Sequence, residues 1–450
     1  MTEKKRLHIF FLKLLAALSL PTIILMGIFL LPHGVGYRFS IGHIDAPRFI
    51  LLATIAYWFV GALRGFFKSK TIIFTPGSRL IGTLVTLILV SAITSSNPVS
   101  STILAGQLCL LWFVFAYAYT SLFNHDTDGK QLAKTLIIIF VILFIFALYE
   151  VVFQTYLIPH KYRTSFWGIA GYEWITSRFL YRSDTILAQG PFMWNHGLSG
   201  LCVAGSGIAI YAMEKYKNWG LIFFYGFVML LIAAGTRAGF YAVAIAFLLY
   251  SIWFKQFFVM LHFALATLIT EASYIALIGS HAPVFYAADM NSGWVDHVSS
   301  MDRVQINFLL AFKSPELTAF LSDLGPVGVK IMGFMLNFAK IEEWWLFGYG
   351  FGAFQRSGQI ASPAIQYDDP GLVQLIFLES GLLAGCLLVF VLIQATLLGL
   401  RYDSLKYYSV GIAAWSVFAL SSWAVWPLTL VMIFSSKIFI FDSRFKSLAT

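Results

Sequence analysis

Charge is scarce in this chain. Of 450 residues only 11% are Asp, Glu, Lys or Arg, against 59% hydrophobic side chains, and the mean hydropathy is +0.80. A globule of this length has too little interior to hide so many apolar groups, so a water-soluble fold is excluded. Cysteine is rare as well. Cys109, Cys202 and Cys386 fall inside apolar runs, where they act as small apolar residues and leave neither a disulfide framework nor a metal site. Short alternating segments are missing, and with them the signature of a membrane β-barrel. No internal repeat, low-complexity tract or terminal soluble domain is visible. No small-residue cleavage site follows the first apolar run, which is expected to be kept as a span.

What the sequence holds instead is a series of long apolar runs. Crossing hydrocarbon takes on the order of 20 apolar residues, and about twelve runs qualify as candidates on that scale. They lie near Phe10–Leu31, Phe49–Leu63, Leu80–Thr94, Thr102–Phe123, Thr135–Leu157, Leu198–Met213, Trp219–Ala234, Ala238–Phe254, Phe257–Ile278, Leu372–Leu398, Tyr408–Ser421 and Trp423–Phe434. Backbone amides cannot stay unpaired in lipid, so helices are the spanning form to expect. The expected fold class is all-α, a polytopic transmembrane helical bundle. Residues 1–279 would hold nine spans with an outer loop at 159–197, residues 280–371 a large outer loop, and residues 372–450 three more spans and a cytoplasmic tail.

An even number of spans puts both termini on one face, which the positive-inside rule assigns to the cytoplasm. With Lys4, Lys5 and Arg6 inside, every inner segment is basic: Arg64, Lys68, Lys70 and Arg79; Lys130 and Lys134; Lys215 and Lys217; Lys255; Arg401 and Lys406; Lys437, Arg444 and Lys446. The outer loop Ser95–Ser101 carries no charge. The formal net charge of +9 thus reads as a topology signal facing anionic membrane lipids, with no nucleic acid as partner.

Both long outer loops are rich in Trp, Tyr and Phe, which argues against disorder. Ser314-Pro315-Glu316 reads as an N-cap, a proline at the first helical position and an acid in the first turn, and Gly325-Pro326 as a stop. Val329 to Lys340 reads as a second helix able to lie in the membrane interface. A small, mostly helical cap over the outer face is the expectation.

One charge stands apart. Arg237, in Gly235-Thr236-Arg237-Ala238-Gly239-Phe240, lies between Trp219–Ala234 and Ala238–Phe254 and hence at a bilayer surface. An ionisable group there is costly and is a functional candidate by default, although a snorkelling interfacial arginine fits the same pattern. Glu150 and Glu271 fall in or at the ends of spans, where a carboxyl is protonated, paired or turned to a cavity. His196, His281 and His297 show no ligand spacing, and no Asp-x-Asp pair stands in the outer loops as a metal-diphosphate clamp, so no metal or cofactor is expected.

Three motifs follow one another: Gly235-Thr236-Arg237-Ala238-Gly239 opening a span, Leu346-Phe347-Gly348-Tyr349-Gly350-Phe351-Gly352-Ala353-Phe354 in the large loop, and Asp368-Asp369-Pro370-Gly371-Leu372-Val373-Gln374-Leu375 running into Glu379-Ser380-Gly381-Leu382-Leu383-Ala384-Gly385. In order and spacing, roughly from Leu198 to Leu398, the chain resembles the O-antigen ligase and O-antigen polymerase family. These are multi-span glycosyltransferases acting on lipid-diphosphate-linked glycans at the outer face of the bacterial inner membrane. The resemblance implies a polyprenyl-diphosphate-linked glycan as donor and a glycan or lipid as acceptor. The donor leaves as a diphosphate, and a guanidinium suits that charge because it is permanently ionised and forks onto two phosphate oxygens.

By this resemblance Arg237 matches the diphosphate-binding arginine. A second arginine is expected near a Gly-Thr/Pro-Phe motif; Gly190-Pro191-Phe192 is present, followed by Asn195-His196-Gly197, but the expected position is Leu187 or its neighbour. Arg182, with Arg178 close by, is the nearest candidate, and a solvated loop charge fits the same residues. Arg303 in Met301-Asp302-Arg303-Val304 matches an arginine early in the large loop and equally fits pairing with Asp302. Where the ligases carry a histidine as the base that prepares the acceptor, this chain has Asp369, with Asp368 beside it. Asp is a competent base where desolvation raises its pKa, and an Asp-Pro-Gly turn before a helix fits the same residues. His196 fits a contact to the lipid diphosphate or a structural role. Trp167, Trp174, Trp194, Trp294, Trp344 and Trp345 fit an interfacial belt or stacking on sugar rings.

The resemblance favours a polymerase of lipid-linked repeat units over a ligase, since Asp replaces His. A secondary transporter and a non-catalytic envelope scaffold are the readings from other classes. Against transport stand the large aromatic loop and the lack of matching Gly/Pro-broken spans in the two halves. The orientation is testable directly: a fluorescent protein that fails to mature after export should be bright when fused at the C-terminus and dark when inserted in Ser95–Ser101, and the reverse pattern would overturn it.

Overall fold

The computed structural model describes residues 19–33, 36–39, 42–67, 76–95, 98–123, 129–158, 181–182, 185–192, 195–285, 295–323, 326–339, 342, 345–350, 371–420 and 426–449. These fold into helices, with two short antiparallel hairpins, β1 (Gly36–Phe39) with β2 (Gly42–Asp45) and β3 (Tyr181–Arg182) with β4 (Thr185–Ile186). In chain order the helices are α1 (Leu20–Leu30), α2 (Ala46–Phe67), α3 (Pro76–Ile93), α4 (Pro98–Cys109), a π-helical turn at Leu110–Val114, α5 (Phe115–Leu122), α6 (Lys130–Phe153), α7 (Asn195–Ala233), α8 (Arg237–Phe254) and α9 (Phe258–Ile278). There follow α10 (Val295–Phe312), α11 (Pro315–Asp323), α12 (Pro326–Phe338), α13 (Leu372–Ser380), α14 (Leu382–Leu400), α15 (Lys406–Phe418) and α16 (Trp426–Ala449).

Seven helical segments among the described residues are long and apolar enough to cross a membrane, including α6, α7, α8, α9 and α14. Their outer faces are as apolar as their inner ones. On α9, Val259, Phe263, Ala266, Thr270 and Tyr274 are buried, while Leu261 and Leu268, both 67% exposed, share the outer face with Leu265 and Ile275. A helix in water carries one apolar stripe; a helix that is apolar all round belongs in a hydrocarbon surrounding.

Four of the apolar runs show how far the sequence reading holds. Leu198–Met213 and Trp219–Ala234 lie, as expected, in two helices, the two arms of α7, and the second folds back beside the first, since a methyl on Gly220 would land on the backbone of Ala212 and Met213. The arms join at Tyr216 and Lys217, where Lys217 turns to φ 46° and ψ −121°. Leu372–Leu398 is not continuous: Gly381, at φ 89°, separates α13 from α14. The last run, from Trp426 on, is the first part of a longer helix, since α16 runs on to Ala449.

α7 is the hub, packing on α6, α8, α9, α15 and α16. Close approach depends on small residues, as is usual between membrane helices. A methyl on Gly207 would land on the carbonyl oxygen of Tyr407, and one on Gly411 on that of Ala204, so α7 and α15 touch backbone to backbone. At the end of the first arm of α7, beside the kink, Glu214 accepts hydrogen bonds from Tyr250 of α8 (2.7 Å) and Tyr407 of α15 (2.6 Å), with the Lys406 ammonium 3.9 Å away. Lys406 also lies over the Phe254 ring at 5.0 Å.

α10, α11 and α12 pack on one another around a small core of their own, made of Val304, Phe308, Leu321, Met332 and Leu336. α11 starts at Pro315, where the Leu317 amide donates to the Ser314 hydroxyl (3.4 Å), and Pro326 opens α12.

Gly207→Ala should lower the thermal unfolding midpoint of the detergent-solubilised protein, because backbone cannot yield as a side chain can, and overpacking costs roughly 1–3 kcal/mol. Gly61→Ala and Gly106→Ala, where an added methyl meets open space, should leave the midpoint unchanged.

Candidate functional site

The turn between α7 and α8 places Arg237. Gly235 adopts φ 69° and its amide donates to the Ile232 carbonyl (2.9 Å). Thr236 is extended at the N-cap, and Arg237 is the first residue of α8. A side chain at 235 would strike Leu187, so the position needs glycine for room as well as for its conformation.

This turn is fastened to the start of α7. The Asn195 amide donates to the Ala234 carbonyl (2.9 Å), and the hydroxyls of Ser199 and Thr236 bond to each other. Gly239 allows that contact, since a methyl there would strike both hydroxyls. The Asn195-His196-Gly197 and Gly235-Thr236-Arg237 motifs therefore meet, and two helices begin side by side. Neither has an acid in its first turn. Their first amides have no partner within their own helices, and both macrodipoles present their positive ends here. Arg237 is half-buried and His196 exposed.

Below the turn runs a segment without helix, residues 186–192, that is buried throughout. It is held by Glu150 at the end of α6, which is fully buried. One carboxylate oxygen accepts from the Gln189 (2.8 Å) and Gly190 (2.9 Å) amides, the other from Leu157 (3.2 Å). Gln154 accepts from the Ile186 amide (3.1 Å), and the Ala188 amide donates to Ala233 at the end of α7 (2.9 Å). The His33 amide donates to Pro191 (2.8 Å), and its ring stacks on Phe192 at 4.7 Å. Arg182 lies on β3, paired in register with Thr185, and so sits on the hairpin leading into this segment.

The second and third motifs also meet, at the break between α13 and α14. The Tyr349 amide donates to Leu378 (2.8 Å), that of Gly350 to Glu379 (3.1 Å), and that of Leu382 to Trp345 (2.8 Å). The Ser91 hydroxyl of α3 bonds the Glu379 carbonyl at 2.5 Å. Gly348 and Gly381 lie so close to backbone across this joint that neither has room for a side chain. Glu379 is itself buried.

Arg303 is placed on α10, within the three-helix unit. Asp368 and Asp369 lie outside the described residues, as do Arg178, Trp167, Trp174, Trp194, Trp294 and Trp344. Gly371, just after them, packs on the backbone of Ala419 and Leu420. Gly200 of α7 packs on Phe418 and Pro427 of the same connection, so α13 starts beside the first turns of α7. Glu271, singled out as a carboxyl at the end of a span, pairs with His281 (2.5 Å) and accepts from the Ala282 amide (2.9 Å). The roles of Asn195, Ser199 and Thr236 escaped sequence reasoning, because single hydroxyls and an amide in apolar runs carry no distinguishing spacing. Among the described residues no three His, Cys, Asp or Glu side chains group as metal ligands. Comparison with family models, curated proteins and solved structures finds no match.

Removing Glu150 strands the Gln189 and Gly190 amides in a buried segment and frees that of Leu157. Glu150→Ala should cost roughly 3 kcal/mol, on the scale of charge-assisted bonds lost with their donors left unpaired. It should also open residues 186–192 to protease, with Glu150→Gln milder because one carbonyl oxygen remains. An unchanged unfolding midpoint in Glu150→Ala would show that the segment is held by its other contacts.

Proposed function

We propose that the chain is a twelve-span glycosyltransferase of the bacterial inner membrane, with both termini cytoplasmic and α10–α12 capping the outer face, that polymerises polyprenyl-diphosphate-linked oligosaccharide repeat units. The observation that carries this reading is Arg237 at the joint start of α7 and α8. A cation in a first turn opposes the macrodipole, at a cost of roughly 0.3–1 kcal/mol. An anion held between the guanidinium and the two helix starts reverses that cost, and helix N-termini are ready anion sites. A diphosphate supplies the charge, and His196 lies one residue into α7 to meet it.

In this reading the acceptor hydroxyl attacks the anomeric carbon, and the bond from that carbon to the diphosphate oxygen breaks. The hydroxyl proton passes to Asp369, with Asp368 adjacent, and polyprenyl diphosphate leaves. Arg237 holds the developing charge, helped by Arg182 or Arg303. Donor and acceptor are glycans, and the aromatic loops cover them. The start of α13 beside the first turns of α7 supports this assignment, because Gly371 follows Asp369 by two residues.

A ligase acting on lipid A core or a protein uses the same site. Loss of the protein would then leave lipid-linked polymer accumulating, whereas loss of a polymerase leaves single repeat units. The spans with Glu150 and Glu271, and the break at Gly381, favour transport, since broken spans hold ions through freed carbonyls. Here the carbonyls of Leu378 and Glu379 are taken by Tyr349, Gly350 and Ser91. Uptake of a solute by proteoliposomes without glycan product would favour that reading.

Arg237→Ala should abolish polymer while the protein stays in the membrane. Arg237→Lys, which keeps a point charge but loses the fork, should retain a fraction of the activity. Normal chain length in Arg237→Ala would refute the assignment.

A further inference from the structure

α10, α11 and α12 are too short or too polar to count among the membrane-length helices, yet α10 is apolar on two faces. Its inner face gives Val304 and Phe308 to the three-helix core. Its outer face carries Ile306, Leu309 and Leu310, which are 57%, 40% and 69% exposed, at the i, i+3, i+4 spacing of one helical stripe. From Val304 to Phe312 there is no charge, and the stripe ends on Lys313, exposed and turned to φ 50° at the helix end. α12 repeats the pattern with Ile331 and Phe334 outside and Met332 and Leu336 inside.

The lipid-facing side of α9 has the same character: large aliphatic side chains about two-thirds exposed opposite a fully buried row. The unit is also tethered near a bilayer boundary. α12 ends at Phe338 and Trp345 bonds to Leu382, the first residue of α14. The few residues between allow at most about 25 Å of extended chain, and α14 has the length of a span, so its first residue marks one edge of the hydrocarbon. A short helix with an apolar stripe, a lysine at its border and a boundary within reach fits an interfacial position, with the stripe among acyl chains and the ammonium at the phosphates.

We infer that the outer stripe of α10, Ile306, Leu309 and Leu310 with Lys313, docks into the lipid surface, so that the three-helix unit rests on the bilayer rather than standing in water. This holds whatever chemistry the site at Arg237 performs, and its failure would leave that assignment intact.

Spin labels on the full-length protein in nanodiscs of anionic and zwitterionic phospholipid test it. Leu310→Cys and Ile306→Cys are labelled in a Cys386→Ser background, since Cys109 and Cys202 are buried; Asp323→Cys on α11 serves as the solvent reference. At 306 and 310, collisions with oxygen should exceed those with a water-soluble nickel chelate, and the order should reverse at 323. Labelled protein must keep the parent's unfolding midpoint. Nickel access at 310 equal to that at 323 overturns the inference, and so does exclusion of both reagents at 310, which would mean that protein covers the stripe. A Leu309→Cys label provides the same readout should either of the other two variants fail to fold.

Discussion

Every stretch of backbone that leaves the helical path inside this bundle has to find hydrogen-bond partners within the protein, because the flanks of the helices offer only hydrocarbon. Residues 186–192 meet that demand through one carboxylate. Glu150 takes the amides of Gln189 and Gly190 from one side and that of Leu157 from the other, and the Ala188 amide reaches the end of α7. The segment so held fixes the entry into α7, and Asn195 and Ser199 fix the turn that starts α8. The setting of Arg237 is therefore the last link of a chain that begins with a buried acid on α6.

The break at Gly381 answers the same demand differently. A helix interrupted in mid-run frees amides and carbonyls, and the 345–350 loop returns to bond them. The glycines of that loop and of the break allow backbone to lie on backbone, and Ser91 closes the last carbonyl from α3. Two of the sequence motifs thus exist as one joint. Their glycine spacing is explained by close approach alone, which leaves Glu379 as the chemically distinctive group at that joint.

α7 links these features to the far end of the bundle. Its start is bonded to the turn before α8, and Glu214, at the other end of the same straight segment, is bonded to Tyr250 of α8 and Tyr407 of α15. Between these ends, Gly207 and Gly411 bring α7 and α15 into backbone contact. A helix fastened at both ends and packed this closely is a rigid support for its first turn.

The sequence by itself determined that the chain is helical and apolar, where most long helices run, and that Arg237 lies at the end of one, because span length and the cost of burying charge are local properties that composition records. It also marked Glu150 as an anomaly without saying what it does, since a carboxylate's partners are amides 39 and 40 positions away and every amide looks alike in sequence. Only the tertiary structure decided that the two arms of α7 fold on each other at Lys217, that Leu372–Leu398 is two helices, and that the Asn195 and Gly235 motifs meet. Those outcomes turn on how closely backbones can approach and which distant groups satisfy them, which depends on three-dimensional packing and leaves no periodicity to read.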